Sequence, residues 1–185
     1  MSESLQNHFL VAMPTMEDSY FQRSLIYMCE HNEKGAMGLV VNAPLELDVC
    51  QLLTQMKLDN LSLSLSNTPV LSGGPTNTDR GFVLHTPMDN FHASVPITPE
   101  IMLTTSLDVL ATLGTSAEPK QYLISLGCAG WGPGQLEQEL EDNSWLTIEA
   151  SAHIIFETPI EQRWEAAVNS LGISMWQIAP QVGHA

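Results

Sequence analysis

Apolar runs rich in β-branched and aromatic side chains recur near residues 8–13, 24–31, 36–42, 69–72, 81–85, 121–126 and 145–156, and each predicts a strand. The last run is long for one strand and is expected to break near Ser151. The stretch L-S-L-S-L at 61–65 alternates with period two but sits among Asn and Ser, so it reads as an edge strand or a loop. Between 86 and 100, Pro87, Pro96 and Pro99 cannot donate ladder hydrogen bonds, which predicts an irregular crossing. Four segments carry helical spacing instead. In 46–57, Val49, Leu52, Leu53 and Met56 form one apolar face; in 106–114, Leu107, Leu110 and Ala111 do the same behind Thr105 and Asp108. A third helix is expected over 135–143. The fourth opens on a capping box, with Thr158 at the cap, Pro159 at the first position and Glu161 at the third; Ile160, Trp164, Val168 and Leu171 follow as a stripe, with Gly172 as the stop. Strands come in runs with helices interspersed, which favours an α+β fold over a doubly wound sheet.

Composition narrows the class. A chain of 185 residues, 44% apolar and only 15% charged, is expected to form a single domain spanning 1–185. Six Lys and Arg stand against 21 Asp and Glu, a formal charge of −15. Binding to nucleic acid draws on cations that displace counterions from phosphate, and here the few cations are scattered. No direct nucleic-acid partner and no membrane association are expected. The opening M-S-E-S-L-Q-N-H has an acid and no base before its short apolar run, so no signal peptide is expected. Three widely spaced cysteines, Cys29, Cys50 and Cys128, read as reduced thiols in a cytoplasmic protein.

Most of the motifs that could carry chemistry have a plainer explanation. Residues 121–143 read as strand, glycine-rich turn and helix, the arrangement that can cradle a phosphate. The segment has no G-K-[ST], however, and Glu137, Glu139, Glu141 and Asp142 would repel an anion. Glu137 and Glu141 share one helix face, for which the expectation is a solvated surface. The six histidines form no metal-ligand spacing, no cofactor motif is present, and there is no G-x-S-x-G elbow, so no metal, cofactor or catalytic residue is assigned. The glycines of G-A-M-G at 35–38 and S-G-G-P at 72–75 are explained by turn geometry.

The remaining candidate is C-E-H at 29–31. Period two places Leu25, Tyr27, Cys29 and His31 on one strand face, with the Cys29 and His31 Cα atoms about 6.6 Å apart. An imidazolium beside a thiol favours thiolate; the alternative is a cysteine packed as a small hydrophobe. Of the three thiols, Cys29 is expected to be the most readily modified.

Taken in order, H-F-L-V-A-M-P at 8–14, Y-M-C-E-H at 27–31, G-A-M-G-L-V-V-N at 35–42, G-G-P at 73–75, D-R-G-F-V-L-H-T-P at 79–87, G-Q-L-E-Q-E-L at 134–140, N-S-W-L at 143–146 and G-H-A at 183–185 resemble the AlgH/YqgE family of bacterial proteins. The chain departs from that pattern at Ser19, where Pro is common, and at Cys128, where Tyr is expected. The resemblance implies a mixed, mostly antiparallel sheet folded toward a pseudo-barrel with helices around it. It carries over no catalytic residue. Some members bear the label of transcriptional regulator. The functional expectation is a non-enzymatic binding or regulatory protein with an unidentified protein or small-molecule partner and a groove near Cys29 and His31. The alternatives are a thiol-dependent or redox-sensing protein using those two residues, and a regulator acting on transcription indirectly.

Overall fold

The apolar runs and helical stripes form ten strands and four α-helices in a computed structural model that describes residues 4–13, 23–58 and 63–171. The strands are β1 (His8–Ala12), β2 (Leu25–Asn32), β3 (Gly35–Val40), β4 (Pro44–Asp48), β5 (Pro69–Ser72), β6 (Thr76–His85), β7 (Ser94–Thr98), β8 (Ile101–Thr104), β9 (Tyr122–Trp131) and β10 (Trp145–Glu149). The helices are α1 (Val49–Gln55), α2 (Gln135–Glu141), α3 (Ala152–Phe156) and α4 (Arg163–Asn169). The class is α+β, and the strand pairs are antiparallel except for β5 with β9. The chain divides into two compact units, Met1–Asn42 with Ala129–Ala185, and Ala43–Cys128.

In the first unit the antiparallel order is β10, β1, β2, β3, followed by the last residues of β9. Leu25 to Cys29 of β2 are buried without a break, which is why this strand reads as a continuous apolar run. Phe9 lies opposite Tyr27 in the ladder, and their rings meet edge to face at 6.1 Å. The phenol donates to Asn7 Oδ1 at 2.9 Å, and burial pushes its pKa well above the ordinary tyrosine range. Helix α4 buries Arg163, Trp164, Ala167 and Val168. Burying a side chain such as Val168 contributes about 1.5–3 kcal/mol.

The second unit holds the parallel pair β5–β9 and the antiparallel series β9, β6, β8, β7. Its core joins Val49, Leu52 and Leu53 of α1 to Leu65, Val70, Val83, Val109, Leu110, Leu113 and Ile124. Helix α1 carries a complete capping box: Asp48 Oδ1 accepts from Gln51 N–H at 2.7 Å and Gln51 Oε1 accepts from Asp48 N–H at 2.9 Å.

Several local expectations are corrected. The run 145–156 ends as a strand at Glu149, and 152–156 is helix α3, whose one turn buries the adjacent pair Ile154 and Ile155. Thr158 does not cap the next helix. Its hydroxyl and its amide both bond His153 O, at 3.3 and 3.1 Å, closing α3 instead. A 3-10 turn at Ile160–Gln162 then leads into α4, and Leu171 is exposed while Trp164 and Val168 are core. The segment 107–112 is a 3-10 helix that begins after Ser106 rather than Thr105 and buries Val109 and Leu110; Leu107 is 62% exposed. Prolines did not prevent a strand at 94–98, because β7 is the end strand of its series and Pro96 needs no outward ladder bond. Residues 63–67 form a 3-10 turn, and 61–62 and Gly172 lie outside the described residues.

Candidate functional site

Strand β2 carries a bulge where C-E-H begins: Met28 faces Gly38 and Glu30 faces Met37, so the register shifts at Cys29. Cys29 is 3% exposed, and its thiol lies 3.8 Å from Tyr27 O as a weak donor. Its carbonyl accepts from Gln6 Nε2 at 3.0 Å. His31 is buried too. Its Nδ1 accepts from Leu5 N–H at 2.9 Å, which puts the ring proton on Nε2, 3.5 Å from Glu137 Oε1. Both ring nitrogens are thus engaged away from the thiol, and the imidazole ties residues 4–6 to the strand end. Cys128 is also buried, with burial pushing its thiol pKa up, whereas Cys50 on α1 is half-buried. Access therefore favours Cys50, where the sequence put Cys29 first.

The glycine-rich turn before α2 serves packing. Gly132 N–H donates to Gln135 Oε1 at 3.0 Å, so an amide that an anion would need is already occupied. Gln135 Nε2 in turn donates to Glu139 Oε2 at 3.0 Å. The other oxygen of Glu139 accepts from two indoles, Trp131 Nε1 at 2.9 Å and Trp145 Nε1 at 2.8 Å. The two rings meet edge to face at 6.0 Å. Sequence spacing suggested a solvated acidic face, which holds for Glu141 and Asp142; Glu137 and Glu139 are half-buried and occupied. Among the described residues no three His, Cys, Asp or Glu side chains converge on a metal position.

Close approach explains the other glycine motifs. A Cβ on Gly73 would sit 1.9 Å from Ser125 Oγ, and one on Gly35, at φ +133°, would sit 2.3 Å from Trp131 O. A buried hydroxyl chain, invisible in the sequence because its members lie on three strands, runs from Ser94 to Thr104 to His85. Thr104 donates to His85 Nε2 at 2.7 Å, and His85 Nδ1–H donates to Thr86 O at 2.7 Å. Burial lowers the pKa of His85.

A concave site does exist in the second unit. A cavity of about 390 Å³ opens between α1, β6, β9 and the segment after β8. Val83, Ile124 and Leu126 line its sheet side, and Leu52 and Leu110 its helical side. Polar groups are few: Gln55, Asp79, Thr105 and Ser106. Among the described residues its lining contains no His, Cys, Lys or Arg. Sequence reasoning missed this site because Leu52, Val83, Leu110 and Ile124 are themselves core positions, brought together from separate elements.

Known proteins resemble the chain over its whole length. It is 56% identical to a UPF0301 protein of Yersinia enterocolitica, over 98% of this chain and all of that protein. A UPF0301 protein of Yersinia pseudotuberculosis is 57% identical over the same span. Among solved structures, the solution structure of the AlgH protein from Pseudomonas aeruginosa is 43% identical, with a TM-score of 0.82 over 100% of this chain and 99% of that one. A crystal structure from Corynebacterium diphtheriae shares the fold at 19% identity, with a TM-score of 0.71 over 92% of this chain and 88% of that one. The family model described as AlgH-like (DUF179) matches residues 9–176, and the chain belongs to that family.

Proposed function

We propose that this chain is a non-enzymatic binding protein of the cytosol that holds a small molecule in the cavity of its second unit and acts in regulation through that occupancy. The observation that carries this reading is the cavity: about 390 Å³, lined mostly by apolar side chains with a small number of polar groups, within the size range of ligand sites. Among the described residues its lining offers hydroxyls but no histidine or lysine to activate them, which supports binding over turnover. The thiol-dependent alternative has less behind it, since Cys29 is buried and both nitrogens of His31 are engaged. Free cysteines at all three positions are compatible with a reducing compartment. Among the described residues no helix is long and apolar enough to cross a membrane. A charge of −15 argues against direct contact with DNA, so any effect on transcription would be indirect.

The test is a backbone NMR titration of the full chain with a library of small apolar fragments. Saturable shifts at Val83, Leu110, Ile124 and Leu126, with the fragments recovered unchanged, are expected. Shifts clustered on other residues, or none, would overturn the reading, and a chemically altered fragment would favour an enzyme.

A further inference from the structure

Glycine in a strand interior weakens it and ordinarily marks close backbone approach. Gly81 of β6 meets no close neighbour: its φ lies outside the left-handed region, and a Cβ built there meets nothing within 4 Å, although the β6–β9 register shifts between Thr76 and Gly81. Gly35 and Gly73 are forced by close neighbours, whereas Gly81, like Gly130, opens onto empty space, and Gly81 lines the cavity. What the missing side chain supplies is room. Two positions earlier, on the same strand face, Asp79 places an exposed carboxylate in the lining. Arg80 alternates to the opposite face, where its guanidinium lies 5.7 Å from the Phe82 ring centroid. Among the described residues the lining therefore has one anionic group and no cation. Leu107, large, apolar and 62% exposed, completes its edge.

We infer that the cavity takes an amphiphilic cation: an apolar body seated over Gly81, between Val83, Ile124 and Leu126, with an ammonium group held at Asp79. The inference rests on the reading of the chain as a binding protein and adds the class of ligand. The volume of about 390 Å³ is well above the roughly 150 Å³ of a cavity that holds one benzene, so a two-ring or short alkyl body fits. Fatty acids, nucleotides and phosphate esters are excluded, because their anionic heads meet Asp79 and find no cation to receive them. A chain with 21 acids and 6 bases also raises the local concentration of cations over anions.

Three probes with the same naphthyl body test this by calorimetry and NMR at neutral pH and low salt: 2-naphthylethylamine, the matching alcohol and the matching carboxylate. The amine is expected to bind about fivefold more tightly than the alcohol, the scale of one exposed ion pair, and the carboxylate more weakly than either. Asp79→Asn should bring the amine to the level of the alcohol. Gly81→Val should abolish binding of all three, and Gly81→Ala weaken it, with circular dichroism and thermal midpoint at or above wild type. Amine and alcohol binding equally, with Asp79→Asn without effect, would overturn the cation assignment while leaving a binding cavity. Failure of all three probes to shift any cavity resonance in the wild type would overturn both.

Discussion

Truncating Glu139 is expected to be the most damaging single change on α2, although the residue looks like one of several surface acids. One carboxylate oxygen receives the Trp131 and Trp145 indoles at 2.9 and 2.8 Å, and the other receives Gln135 at 3.0 Å. Both rings are nearly buried, 7% and 5% exposed, so water cannot replace the lost acceptor without the site opening. A hydrogen bond to a charged partner contributes about 1.5–3 kcal/mol, and two sharing one oxygen are worth less than twice that. Glu139→Ala should therefore cost about 2–5 kcal/mol, a large part of the roughly 5–15 kcal/mol that holds a typical domain. Glu139→Gln keeps a carbonyl for the indoles but turns an amide NH₂ toward the donor of Gln135; about 1–2 kcal/mol is expected. Urea unfolding followed by far-UV circular dichroism measures both, and a double-mutant cycle with Trp131→Phe isolates one indole bond. A loss below about 0.5 kcal/mol for Glu139→Ala, or no coupling in the cycle, would refute the clamp.

Trp164 is 7% exposed with the Arg23 guanidinium 4.2 Å from its ring centroid, yet its buried indole N–H has no acceptor among the described residues. Trp164→Phe should cost less than about 1 kcal/mol because it removes that unmet donor, against about 3–5 kcal/mol for Trp164→Ala; equal losses in urea melts would contradict this. His85 has its pKa lowered from 6.5 by burial, so the unfolded chain binds the proton more tightly. Its contribution is complete above the unfolded value of 6.5 and declines as pH falls toward the folded one; thermal melts across that window should show a shallower decline for His85→Gln, and parallel curves would count against it. Native alkylation mapped by peptide mass should label half-buried Cys50 ahead of Cys29 and Cys128, and faster labelling of Cys29 would mean that the bulge opens to solvent.

The strands of the first unit were legible because their core runs are continuous: β1 and β2 bury nearly every residue, so period and propensity agree. Short strands with exposed residues were not. β4 is exposed or half-buried throughout, and β7 contains a proline that only its end position tolerates. Thr158 shows a different failure. The capping-box pattern was real, but the hydroxyl found the carbonyl of His153 five residues back before it could serve the helix ahead. Cys29 and His31 were correctly placed inside the strand and both turn inward, but the bulge and the partners of the imidazole, Leu5 and Glu137, depend on distant segments. The cavity left no mark in the sequence that could be read alone: Gly81 looks there like any turn glycine, and its place in the lining depends on distant segments.

The charge count understates how anionic this protein is toward a ligand, because its cations are partly spent on holding the fold. Arg163 is 8% exposed and donates from Nε to Thr158 O at 2.9 Å and from Nη1 to Val41 O at 2.6 Å. The rigid guanidinium fork can reach two carbonyls at once, which a lysine cannot. Burial lowers its pKa to about 10, with Glu161 opposing that fall, so the group remains charged at neutral pH but is withdrawn from solvent. Arg23 lies over Trp164 and Arg80 over Phe82, each committed to a ring face. All three arginines among six basic residues therefore have structural partners, while Asp79 stands exposed in the cavity lining. An anionic ligand approaching this chain would have to bind without an arginine, the residue best suited to receive it. A cationic one meets a carboxylate that no arginine of the site neutralises, which is the electrostatic ground for expecting the cavity to discriminate by sign of charge before it discriminates by shape.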